Sequence, residues 1–225
     1  MRFLLALFAA LLLPCTPVNV GAAQADDKDL PHWTAIGVPI FLLVANAAVQ
    51  DELRLSIKQR TEVIGLVKEA EEIYRGWSKL DWNLRDQKIV TEQMMTSNRL
   101  AKILGREQLK RLEQIDRQRR GPVIVMDDSV VAPLRLTREQ RQKLELLADR
   151  NRGGQESLIL QLAKTDPKDN PTRQKFAEGL LKLLADGCVK VEAELSDEQR
   201  KVWRSIRGKP FDLGLLFRSR PVVVD

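Results

Sequence analysis

The chain has 225 residues, of which 44% are hydrophobic, 30% charged and 5% aromatic, and it carries a formal net charge of +6. The apolar fraction argues against wholesale disorder, and a single His with two Cys leaves little material for a His/Cys metal site or a disulfide framework. Few aromatics beside many Leu, Glu, Lys, Arg and Gln point to helices rather than a β-sandwich.

The N-terminus reads as an export signal. Arg2 gives a positive start, residues 3–13 are an unbroken apolar run, and Ala23-Gln24-Ala25 offers the small-x-small pattern of a cleavage site. The run is short of the roughly 20 residues that a membrane helix needs. Cleavage is expected before Asp26, which makes residues 1–25 a signal peptide and the mature protein periplasmic or secreted. A lipoprotein signal at Cys15 is the rival, and Pro14 fits it poorly. Loss of this segment leaves Cys188 as the one cysteine, either a small buried hydrophobe or the site of an intermolecular bridge. Residues 26–41 form an N-terminal segment. The apolar stretch 33–49 contains Gly37, Pro39 and Asn46. It predicts a buried or interfacial segment, with a membrane anchor as the alternative.

Beyond this point the chain repeats itself. Residues 42–60 align without gaps on 123–141 at an offset of 81, and both share Leu-Arg-Leu-[Ser/Thr]-x-x-Gln-Arg. A second pair follows: Leu104-Gly105-Arg106-Glu107-Gln108 resembles Leu195-Ser196-Asp197-Glu198-Gln199. Each leads through an Ile, Ile115 or Ile206, to a Gly/Pro stop. The mature chain therefore divides into one unit over 42–122, a second over 123–211 and a tail over 212–225. The motifs stand 49 residues apart in the first unit and 59 in the second. The polar stretch 166–171 is the expected place of the extra length.

Leu-[Ser/Thr]-x-x-Gln is a helix start. Ser56, Thr137 and Ser196 are expected at N-cap, and Gln59, Gln140 and Gln199 at N3, in the reciprocal arrangement of a capping box. Gly105 is a weaker cap, so that helix is expected to run through from upstream. After each start the apolar residues recur at helical spacing, as in Val63, Leu66, Val67, Ala70, Ile73, Tyr74 and Trp77. Gly153 and Gly154 predict a break between Leu147 and Leu158. Only residues 123–125 and 222–224 hint at strands. The fold class is all-α: two pseudo-repeated helical hairpin units, elongated or bundle-like.

The repeated motif resembles the LTXXQ motif of the Spy/CpxP-like periplasmic stress proteins. The arrangement over residues 42–213 is similar to that of secreted tandem-repeat proteins of planctomycetes. It rests on Val49-Gln50-x-x-Leu53-x-Leu55-Ser56, the segment from Gln108 to Pro122, and Gly208-Lys209-Pro210-Phe211-Asp212-Leu213. The first resemblance implies a helical hairpin dimer that holds unfolded clients without ATP. This chain departs from it by carrying two units in one polypeptide.

Charge is local. Residues 200–220 hold seven basic residues and one acidic. Arg200, Lys201, Arg204, Arg207 and Lys209 are the candidate surface for an anionic partner. The same residues also suit solvated helix ends that complement the helix dipole. Trp77 and Trp82 are the candidate client-binding aromatics. His32 lies in the N-terminal segment, with no evident partner for nucleophilic catalysis. Asp127-Asp128 reads as a turn rather than a metal site. The chain has no GxGxxG, Walker loop or CxxC. No enzyme activity, cofactor, metal or nucleic-acid partner is therefore expected. The expected partner is protein, as unfolded clients of a chaperone or as one specific envelope partner of a scaffold, with a homodimer also open.

Overall fold

A computed structural model describes residues 40–76, 82–165 and 170–218. The expected signal region 1–25, His32, Trp77, most of the polar stretch 166–171 and residues 222–224 lie outside these. The described residues are all-α and contain no strand. In chain order the helices are α1 (Ile40–Leu43), α2 (Ala47–Glu52), α3 (Ile57–Gly76), α4 (Trp82–Ile103), α5 (Arg106–Arg120), α6 (Asp128–Leu134), α7 (Arg138–Ala163), α8 (Asn170–Glu194), α9 (Asp197–Arg207) and α10 (Leu215–Arg218). A 3-10 helix, Gly121–Met126, joins α5 to α6. Packing divides the described residues into two compact units, one within 40–112 together with 215–218 and the other within 113–214. That boundary falls inside α5, whereas the sequence repeat turns over at 122/123.

In the first unit α3 and α4 form a hairpin, α1 packs on α4 and α2 on α10. Asn46 caps α2 by accepting a hydrogen bond from Ala48 N at 3.0 Å, and its own amide donates to Leu216 O at 3.4 Å. Phe41, Leu43, Val44 and Val49 are buried with Val63, Leu66, Val67, Ala70 and Leu100. The described part of the apolar stretch 33–49 is thus broken by a turn at 44–45 and spent on this core. Among the described residues no helix is long and apolar enough to cross a membrane.

In the second unit α7 and α8 form the hairpin, the 3-10 helix packs on both, and α6 packs on α9. Its core joins Ile124, Val125, Val130, Leu134, Leu144, Ala148, Cys188, Val191, Leu195 and Trp203. Asn151 links the arms through a hydrogen bond from its Nδ2 to Leu183 O at 3.0 Å. Arg54 (φ 51°) and Arg135 (φ 49°) turn left-handed just after α2 and α6, 81 residues apart, so the repeat extends to backbone geometry.

Three local expectations are corrected. α7 runs unbroken through Gly153 and Gly154: a Cβ at Gly154 would lie 2.9 Å from Leu183 Cδ2, so this glycine serves close helix approach rather than a break. Residues 123–125 are 3-10 helix, set by left-handed Gly121 (φ 62°) and Pro122. α4 stops at Ile103 and α5 starts afresh at Arg106, so the helix does not run through Gly105. Within the described residues the arms of the second unit have 26 and 25 residues and those of the first 20 and 22, and the expected insertion at 166–171 falls mostly outside the described residues.

Candidate functional site

The six motif residues occupy the helix starts. In α7, Thr137 Oγ1 accepts from Gln140 N at 3.2 Å, and Gln140 Oε1 accepts from Thr137 N at 3.0 Å. In α9 the same pair is Ser196 and Gln199, at 3.3 and 2.9 Å. In α3 it is Ser56 and Gln59, at 3.2 and 3.0 Å. Each capping box satisfies two backbone donors that a helix start would otherwise leave unpaired. At Gly105 only half of the device exists: Gly105 N donates to Gln108 Oε1 at 2.9 Å.

The far ends of the glutamines meet. Gln140 Nε2 donates to Gln199 Oε1 at 2.8 Å, and Gln199 Nε2 returns a bond to Gln140 Oε1 at 3.0 Å. Each amide also donates to the carbonyl at the end of a neighbouring helix: Gln140 to Glu194 O at 2.8 Å, and Gln199 to Leu134 O at 3.1 Å. The first unit repeats this clasp. Gln59 and Gln108 exchange bonds of 2.7 and 3.2 Å, while Gln59 also reaches Ile103 O at 3.0 Å and Gln108 reaches Leu53 O at 3.1 Å. The four carbonyls stand at matching repeat positions. Each clasp thus ties both motifs of a unit to the helix ends that precede them.

A further glutamine escaped sequence reasoning. Gln118, 5% exposed, donates through Nε2 to Arg207 O at 2.6 Å and Lys209 O at 2.8 Å, and its Oε1 accepts from Phe211 N at 2.8 Å. It hangs the closing turn of the second unit on the end of α5. Gly208 (φ 67°) is needed there, because a Cβ would meet the Gln114 side chain at 2.2 Å. The sequence signal was the shared Gly/Pro stop, which marks the turn without marking its anchor.

The candidate cationic surface is largely paired within the fold. Arg200 bonds Asp197 and Leu195 O, Lys201 meets Glu198 at 2.7 Å, and Arg204 meets Glu192 at 2.6 Å. The hydrogen bond that Arg204 donates to the Glu192 carboxylate holds its guanidinium above its ordinary pKa. Arg207 lies 5.3 Å from the centre of the buried Trp203 ring, a cation–π arrangement. Lys209 lends its carbonyl to Gln118. The basic end of α5 is paired too: Arg117 meets Glu113 at 3.6 Å, Arg119 meets Asp116 at 2.5 Å, and Arg120 grips both oxygens of Asp127 at 2.6 and 2.7 Å, so Asp127 starts α6 without a side-chain cap. Burial lowers the Arg120 pKa, but Asp127 and then Asp116 outweigh it and the net direction is up.

Trp82 is the first residue of α4, and Trp77 lies outside the described residues. Cys188 is a free, buried thiol, pushed up in pKa by burial. Among the described residues no group of three or more His, Cys, Asp or Glu could hold a metal. Together these elements define an all-α protein of two hairpin units, each locked at its base by a paired-glutamine clasp. No family model, curated protein or solved structure matches the chain.

Proposed function

We propose that the chain is an exported, non-enzymatic binding protein, a scaffold whose hairpin arms engage a protein partner in the cell envelope. The observation that carries this reading is the duplicated clasp. The residues of the repeated motif are committed to their own fold in both units, so recognition falls to the exposed faces of the arms. The pairing of the basic residues of α9 with Asp197, Glu198 and Glu192 also argues for a protein partner over a general anionic surface.

The second reading is a Spy/CpxP-like chaperone. It is favoured by the motif resemblance and by Met94 and Met95, which stand 63% and 54% exposed on α4. Paired exposed thioethers suit adaptable apolar binding. Among the described residues the other large exposed apolar side chains, Ile57, Met126, Leu146 and Val189, are spread over other elements.

Two experiments separate the readings. A scaffold recovers one defined partner from envelope extract, and it leaves aggregation of an unrelated unfolded protein unchanged at several-fold excess. A chaperone suppresses that aggregation near stoichiometry, and Met94→Gln with Met95→Gln weakens the suppression. Export is tested by the N-terminus of the secreted chain, expected at Asp26. An N-terminus at Met1 in the cytoplasm contradicts it.

A further inference from the structure

The exposed face of α3 carries Glu62, Gly65, Glu69 and Glu72 at helical spacing. A groove of about 670 Å³ opens along it, walled on the far side by Arg99 and Lys102 of α4. Gly65 lines it and is open: a Cβ added there would meet nothing within 4 Å. The equivalent positions on α7 are Lys143, Leu146, Arg150 and Gly153, 81 residues on. Leu146 is 60% exposed, so a hole in one repeat becomes an apolar knob in the other. The flanking charges reverse as well. Glu62 and Glu69 are answered by Lys143, which also meets Glu194 at 3.0 Å, and by Arg150, and Lys68 by Asp149. Like charge recurs at Arg99 and Lys190, where Arg99 is already bonded to Glu69 at 2.5 Å.

We propose that the Gly65 groove of one copy of the chain receives the Leu146 face of a second copy. Leu146 is the apolar anchor, and the acidic and basic flanks supply the complementarity. The charges suit either helix direction. Antiparallel docking sets Glu62 by Arg150 and Glu69 by Lys143, while parallel docking sets Glu62 by Lys143 and Glu69 by Arg150. Groove and knob are different surfaces, so the contact is heterologous and raises the mass whether it closes a ring or extends a chain. This inference stands apart from the identity of any envelope partner.

Sedimentation equilibrium of the purified chain tests it. Self-association in the micromolar range is expected at about 0.05 M salt, receding toward a single chain at about 0.5 M. Gly65→Leu and Leu146→Glu should each weaken it about tenfold or more. Gly65→Leu should also raise the melting temperature by removing a glycine from a helix interior, so its effect is not one of misfolding. The variants Glu62→Lys/Glu69→Lys and Lys143→Glu/Arg150→Glu should each stay single, yet associate when mixed. A single-chain mass for the unaltered protein at every concentration and low salt overturns the proposal and leaves the groove to a foreign partner. Association unchanged by both Gly65→Leu and Leu146→Glu, or no association in the mixture, overturns it equally.

Discussion

A glutamine at the third position of a helix has an amide with two ends, and in this fold both ends are used. The oxygen of Gln140 takes the cap amide of Thr137, and its nitrogen reaches Gln199 and Glu194 O. The threonine contributes the other half of the box. Thr137→Ala should therefore cost about 1 kcal/mol in thermal or denaturant unfolding. Gly105→Ser should gain a few tenths of a kcal/mol, because the new Cβ would sit 3.5 Å from Gln108 Oε1, an ordinary contact. Cys188 makes a different prediction. Its pKa is raised in the fold, first by burial, with Glu192 adding and Arg207 opposing. The unfolded thiol ionises near about 8.5 while the folded one stays protonated. The stability held below that pH should thus drain away as pH rises toward the folded value. Unfolding of the parent chain between about pH 8 and 10 should show this loss, and Cys188→Ala should lack it. The native thiol should react with a thiol reagent only on unfolding.

At the scale of elements, glycines separate what the sequence discloses from what it hides. Gly153 and Gly154 look alike in sequence and predict a break, yet α7 passes through both. Gly153 faces open space, so Gly153→Ala should stabilise the helix by about 1 kcal/mol. Gly187 is the opposite case: a Cβ would fall 2.3 Å from Pro122 Cγ and 2.6 Å from Asn151 Nδ2. Gly187→Ala should cost about 1–3 kcal/mol or more, read in the same unfolding experiment. The helix starts at Ser56, Thr137 and Ser196 are readable because a capping box is local, with all its partners within three residues. The Gln59–Gln108 and Gln140–Gln199 pairs lie 49 and 59 residues apart, so no local pattern announces them. Gln118 is missed for that reason too, since its acceptors sit about 90 residues away.

For the whole molecule, Arg200, Lys201 and Arg204 of the basic C-terminal region pair locally with acidic side chains, and the repeated motif fastens helix ends in both units. What distinguishes the two units is the dress of their arms. The groove over Gly65 and the exposed Leu146 stand at the same repeat position, and Met94 and Met95 belong to the first hairpin alone. The central claim is that one glutamine clasp is built twice. Double-mutant cycles measure it directly, with Gln59→Ala and Gln108→Ala in the first unit and Gln140→Ala and Gln199→Ala in the second. Each single change should cost about 1–3 kcal/mol, because it leaves two helix-end carbonyl or amide groups short of a partner. Each pair should show a coupling of about 1 kcal/mol in both units, with the double variant less harmed than the sum of its singles. Additivity within about 0.3 kcal/mol in either unit would contradict the clasp.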